Sequence, residues 1–182
     1  TVPNGGGTVT FAGFDVSGDA DGALALSVVV TEASGNQSVF VGSLPTKDTV
    51  PPVLPTLAVL PMTGNNPANF INSLSEASVQ VDITWPGTAD NSDTAEALLT
   101  DAAMTTVMSL PSNPSAGATT SENVIATSLI EGNITVGVRV TDQAGNEATF
   151  TDATTATKDV TAPDLPTFAQ VAMTGSNPVC LL

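Results

Sequence analysis

The chain has 182 residues, with 18 acidic side chains against three lysines and arginines and a formal net charge of −15. So acidic a surface repels the phosphates of nucleic acids and anionic membranes, which excludes both as expected partners, and no apolar run is long enough to span a membrane. Hydrophobic residues make up 41% of the chain and occur in alternating runs, which argues against disorder.

Alternating patterns predict the core strands. Apolar residues, many of them β-branched, occupy every second position over residues 24–31, 79–85 and 134–141. A period of two is typical of half-buried strands whose apolar faces meet in a core. Trp85 shares the phase of the apolar positions before it, so we expect it inside the core and not on a sugar-binding surface. Residues 94–106 are compatible with a helical turn or two.

The sequence repeats itself after the length of one small domain. Val-Thr-Glu-Ala-Ser-Gly-Asn at 30–36 returns as Val-Thr-Asp-Gln-Ala-Gly-Asn at 140–146, 110 residues later. Gly and Asn favour the positive φ of a tight hairpin at both places. The repeat divides the chain into residues 1–50 (the C-terminal part of one repeat), 51–161 (a complete repeat) and 162–182 (the first strand of a further repeat). Many short strands between frequent turns predict antiparallel β-sandwiches.

Two joints connect these repeats. They read Lys-Asp-Thr-Val-Pro-Pro at 47–52 and Lys-Asp-Val-Thr-Ala-Pro at 158–163. Short joints with proline restrict rotation between neighbouring domains, which predicts a rod.

The hairpin and the joint together resemble the bacterial Ig-like repeats of very large secreted adhesins and biofilm proteins. The resemblance implies tandem Greek-key Ig-like sandwiches outside the cell, at the bacterial surface. Such repeats extend a terminal ligand-binding domain away from the cell, and calcium at the joints often rigidifies the rod. We therefore expect a structural spacer whose partners are adjacent repeats of the same chain or of neighbouring subunits.

Calcium is the ligand that the acidic turns favour, because it takes six to eight oxygen donors and tolerates irregular geometry. A further acidic loop occupies residues 90–93. The same residue types also form turns by capping backbone amides, and both interpretations stay open here. The candidate calcium ligands are Asp48, Asp159, Asp142, Asn146, Asp19 and Asp21.

Catalysis is not expected, because the chain has no His and no Tyr and so holds neither a Ser-His-Asp nor a Cys-His arrangement. Two other functions remain as alternatives. Subunits could polymerise into a filament, with residues 163–182 adding a strand to the incomplete domain of the next subunit. The loops near Asp90 or the glycines at 5–7 could instead bind a glycan or a protein.

Overall fold

The computed structural model describes residues 8–42, 45–61 and 66–167, and within these ranges the chain is all-β, as predicted. The described part contains no helix, and therefore none long and apolar enough to cross a membrane. The twelve strands are β1 Gly22–Ala23, β2 Ser27–Thr31, β3 Gln37–Val41, β4 Thr46–Lys47, β5 Leu57–Val59, β6 Phe70–Ile71, β7 Val79–Thr84, β8 Thr94–Asp101, β9 Thr106–Met108, β10 Thr119–Val124, β11 Gly132–Thr141 and β12 Glu147–Lys158.

Two sheets build the sandwich of the complete repeat. One has the order β10-β7-β5, and the other has the order β6-β12-β11-β8-β9. The alternating residues of β7, β8 and β11 face each other in one buried cluster, with Ile83, Leu99 and Val138 fully buried. Trp85 is 2% exposed and its indole N–H donates to the Thr120 hydroxyl at 2.9 Å, which confirms its place in the core.

The expectation of helical turns over residues 94–106 is wrong. These residues form β8, the following turn and β9. Ala95, Ala97 and Leu99 are fully buried at every second position, and β8 pairs with β11 along its whole length. Alanine and leucine favour helices in isolation, but sheet pairing and burial override that preference here.

Residues 8–42 and 45–47, which we call the first unit, repeat the local geometry of the end of the complete repeat. Strands β2 and β3 form a hairpin, and β1 pairs with β4. Gly35 and Gly145 hold φ values of 90° and 92° in equivalent hairpin turns, and Gly22 and Gly132 hold 127° and 119°. The sequence repeat is therefore also a repeat of backbone conformation. The domain boundaries and the tandem array stay predictions, and most of the proposed further strand, residues 168–182, lies outside the described residues.

Candidate functional site

An acidic cleft of about 330 Å³ lies where the first joint meets the complete repeat. Three segments form it: the joint together with Val53 after it, the loop between β7 and β8, and the hairpin between β11 and β12. Four carboxylates line this joint cleft, and they belong to Asp48, Asp90, Asp93 and Asp142. Asp48 and Asp142 are candidate calcium ligands and Asp90 and Asp93 belong to the acidic loop 90–93, and the fold brings all four to one place.

The hairpin between β11 and β12 binds the first joint through Asn146, at the end of its turn. The Asn146 side-chain amide donates to the carbonyl oxygens of Asp48 at 3.2 Å and Val50 at 3.4 Å. Asp142 orients this amide, because its Oδ2 accepts from Asn146 Nδ2 and its Oδ1 from the Asn146 backbone N–H, both at 2.8 Å. The hydrogen bonds from Asn146 lower the pKa of the Asp142 carboxyl. Asn146 therefore acts as a clamp on the joint backbone.

Asp93 is the unusual residue of the cleft. It is only 6% exposed, and its carboxylate has no hydrogen-bond partner within the described ranges. Its backbone is fixed, since its N–H donates to the Asp90 carbonyl and its own carbonyl accepts from Asn113 at 2.8 Å. Burial raises the pKa of the Asp93 carboxyl, and the negative charges of Asp90, Asp142 and Asp48 raise it further. A buried anion among like charges is unfavourable unless a cation or a proton compensates it.

The other two carboxylates of the cleft also cap turns. Asp90 Oδ1 accepts from the Ser92 hydroxyl at 2.6 Å and from its amide at 2.8 Å, which lowers the pKa of Asp90. Asp48 Oδ1 accepts from the Val50 amide at 3.0 Å. The turn-forming interpretation thus holds for both residues, while each still lines the cleft.

The carboxylate oxygens of the cleft are suited to calcium, but they do not form a complete coordination shell. Carboxylate oxygens are the ligands that calcium prefers, and the uncompensated Asp93 supplies a reason for a cation to bind. In residues 8–42, 45–61 and 66–167, however, no group of three or more acidic side chains is arranged to hold a metal ion. Binding would therefore require side chains of the cleft to turn toward a common centre.

The remaining candidate ligands lie elsewhere. Both oxygens of Asp21 accept from the Thr49 hydroxyl, at 3.1 and 2.9 Å, and one also accepts the Thr49 amide at 3.1 Å. Asp19 lines a groove of the first unit and not the joint cleft. Asp159 belongs to the second joint, where its Oδ1 accepts from the Thr161 amide at 3.1 Å.

Glu131, which is not among the candidate ligands, performs at the second joint the role of Asp21 at the first. Its carboxylate accepts from the Val160 amide at 3.0 Å and from the Thr161 hydroxyl at 3.0 and 3.1 Å. Glu131 stands 110 positions after Asp21, so the repeat offset was the signal that could have found it.

Both joints are also fastened by a lysine. Lys158 is 3% exposed, and its ammonium donates to the carbonyls of Ala126 at 2.9 Å, Leu129 at 2.7 Å and Thr127 at 3.4 Å. It also pairs with Glu76 at 3.0 Å. At the first joint Lys47 donates to the carbonyls of Ser17 and Asp19, the counterparts of Thr127 and Leu129. Each lysine thus anchors its joint to the preceding unit through two equivalent carbonyl oxygens.

No family model and no curated protein matches the chain. One solved structure that it resembles is the crystal structure of a tetra-tandem repeat in the extending region of a large adhesion protein. The two are 20% identical with a TM-score of 0.42, and the similarity covers 84% of this chain but only 35% of that one.

Proposed function

We propose that this chain is a spacer segment of a bacterial extracellular adhesin or surface fibre, built from tandem sandwich repeats whose joints are rigidified by calcium. The observation that carries the proposal is the duplicated joint. A lysine bound to loop carbonyls, an acidic side chain bound to the joint, and an Asp capping the joint turn recur 110 to 111 residues apart. The extracellular location follows from the resemblance of the hairpin and joints to secreted adhesin repeats.

The joint geometry supports a mechanical role. Each joint is bound on its N-terminal side by the lysine and acidic contacts, and the first joint is also bound on its C-terminal side by Asn146. Contacts on both sides of a short proline-rich segment restrict bending between neighbouring units. A chain of such units transmits force and keeps a terminal domain at a distance, and it needs no catalytic group.

Calcium is the ligand that best compensates the negative charge of the joint cleft. Four carboxylates share this cleft, and Asp93, which is 6% exposed, has no hydrogen bond to its carboxylate from any residue that the structure describes. A divalent cation would compensate the charge that burial makes unfavourable, and would connect the joint through Asp48 with the domain through Asp90, Asp93 and Asp142.

A calcium titration followed by unfolding tests this proposal. Trp85 is the only tryptophan and is buried in the complete repeat, so its fluorescence reports the unfolding of that repeat. A ligand that binds only the folded state stabilises it by RT ln(1 + [L]/Kd), about 2.7 kcal/mol at 100 times Kd. We expect millimolar calcium to raise the unfolding midpoint of the natural chain.

Two variants make the test specific to the cleft. Asp93→Asn should lose most of the calcium-induced shift, while Asp82→Asn, which removes the same charge from the outer face of β7, should keep it. Midpoints that calcium leaves unchanged, or an equal shift in Asp93→Asn, would refute calcium binding in the cleft. The filament and glycan-binding alternatives stay predictions.

A further inference from the structure

The joint cleft spreads its negative charge over three segments of the chain. Asp48 belongs to the joint, Asp90 and Asp93 to the loop between β7 and β8, and Asp142 to the hairpin between β11 and β12. Among the residues that the structure describes, no three acidic side chains are arranged to hold a single metal ion. A compact ion must therefore draw these carboxylates together, whereas a ligand with several separated cationic groups meets them where they stand.

Asp93 is the residue of the cleft that points to a ligand. Its side chain lines the cleft and is 6% exposed, and its carboxylate has no hydrogen bond from any described residue. Burial and the charges of the other three carboxylates raise its pKa, so all four groups act on the same space. A buried carboxylate among like charges needs a cation and a hydrogen-bond donor to compensate it. A primary ammonium group is both, because it carries a full charge and three N–H donors.

Two further carboxylates of the cleft keep an oxygen for such a ligand. Asp48 and Asp90 are exposed, and each uses Oδ1 to cap its own turn. Within the described structure, Oδ2 of each accepts no hydrogen bond. The cleft therefore has one deep acceptor, at Asp93, and two outer ones.

Apolar side chains form another part of the cleft. They belong to residues 50–53, and Val53 is 45% exposed. A hydrated metal ion gains nothing from such a surface, but methylene groups do, because their apolar area leaves water. The stems of long cationic side chains lie on apolar surface in this way while their charged ends meet polar groups. The volume of about 330 Å³ is that of a small-molecule site.

The cationic side chains of the chain itself do not fill this cleft. They are Lys47, Arg139 and Lys158. Lys47 and Lys158 donate to loop carbonyls, and Arg139 pairs with Glu96. The same residues are engaged in a second copy of the chain, so the ligand is a separate molecule.

We infer that the joint cleft binds linear polyamines, which are aliphatic chains that carry two or more ammonium groups. One terminal ammonium group donates to Asp93, the methylene groups lie on residues 50–53, and a second ammonium group reaches Asp48 or Asp90. This site coincides with that of the calcium proposal but does not depend on calcium binding. A polyamine and the metal ion compete for Asp93.

A spermidine titration of the natural chain tests the inference. The chain is first freed of calcium on a chelating resin, and binding is measured by calorimetry at low salt and by the urea midpoint of the Trp85 fluorescence transition. We expect one saturable site per chain and a midpoint that rises as the site fills. Propylamine at the same amine concentration and sodium chloride at the same ionic strength should show no saturable site, since they supply only a single charge or screening.

Three variants assign the site. Asp93→Asn should lower the spermidine affinity at least ~10-fold, because it removes the charge from the deepest hydrogen bond. Asp82→Asn, on the outer face of β7, removes the same charge outside the cleft and should leave the affinity unchanged. Val53→Asn should lower the spermidine affinity ~3-fold but leave the calcium response unchanged, because only the polyamine has methylene groups to place on this side chain.

The two ligands give distinguishable failures. A spermidine affinity that is equal in Asp93→Asn and the natural chain, or a response that salt alone reproduces, would overturn the inference. A calcium-induced shift without spermidine binding would also overturn it, and would leave the calcium proposal standing. Spermidine binding at Asp93 without any calcium-induced shift would support the inference and refute calcium binding in the cleft.

Discussion

Replacing Lys158 by methionine should destabilise the complete repeat severely. The lysine is 3% exposed and its ammonium joins the end of β12 to the carbonyls of Ala126 and Leu129 and to Glu76. Methionine fills a similar volume and keeps the packing of the aliphatic stem, but it donates no hydrogen bond. The substitution therefore isolates the polar contacts of the lysine.

The magnitude follows from what each partner loses. The Ala126 carbonyl keeps the Leu129 amide as a donor, so it stays satisfied. Leu129 is 4% exposed, and its carbonyl loses the ammonium, which costs about 1–3 kcal/mol for a buried group. Glu76 loses its ion pair but is 25% exposed and regains water. Removing one partner of a well-buried pair costs about 3–5 kcal/mol, so we expect a loss near the lower end, about 3 kcal/mol.

Urea unfolding monitored through Trp85 measures this loss. With a slope of about 1.5 kcal/mol per molar urea, the midpoint should fall by about 2 M. Lys47→Met provides a matched control, since Lys47 makes the equivalent carbonyl contacts in the first unit and should leave the Trp85 transition unchanged. A loss below about 1 kcal/mol for Lys158→Met at an unchanged slope would refute the reasoning.

Two further predictions concern the cleft and the sheet. Without calcium at pH 7, Asp93→Asn should stabilise the repeat, because the raised pKa of Asp93 means that the folded state disfavours its charge. The folded state gains stability from protonation of this carboxyl. That gain is complete below the pKa of the carboxyl in the unfolded chain, and it is lost as the pH rises through the higher pKa of the folded state. The extra stability of Asp93→Asn should therefore vanish near pH 3, and a gain that stays constant down to pH 3 would contradict a raised pKa for Asp93. Gly137→Ala should cost about 1–3 kcal/mol in urea unfolding, because a Cβ there would lie 2.9 Å from the Phe150 carbonyl oxygen at a register shift between β11 and β12. Gly87→Ala meets no atom within 4 Å and should change stability by less than about 0.5 kcal/mol, so equal losses in the two variants would argue against a steric cause.

Strands β7 and β11 and the place of Trp85 could be predicted from the sequence because their apolar residues alternate; the third predicted run, residues 24–31, forms a strand only over Ser27–Thr31, and most of that strand is exposed. Strand β8 could not be predicted, because its alanine, leucine and threonine residues are compatible with a helix or a strand. Only its pairing with β11 determines that it is a strand. The sequence pattern therefore identifies strands in which apolar and polar residues alternate regularly, whereas tertiary contacts determine the other elements.

The candidate site was only partly predictable from the sequence. Of the six proposed ligands, Asp48 and Asp142 line the joint cleft, whereas Asp19, Asp21 and Asp159 do not. The sequence pattern places Asp48 at a joint and Asp142 in a hairpin turn. It does not show that Asn146 binds carbonyl oxygens, nor that Asp93 is buried and receives no hydrogen bond on its carboxylate within the described residues, since both depend on how a loop and a hairpin meet in space. Glu131 escaped notice because it differs in type from its counterpart Asp21, although the offset relates them.

The most direct test of a calcium-stiffened joint is the distance distribution between spin labels on the two sides of it. Labels at Val39→Cys in the first unit and Ser128→Cys in the complete repeat, with Cys180→Ser to remove the natural thiol, span the first joint. With millimolar calcium we predict a single narrow distribution that broadens when a chelator is added, and Asp93→Asn should be broad in both buffers. A distribution of the same width with calcium and with chelator would contradict the claim that calcium rigidifies this joint.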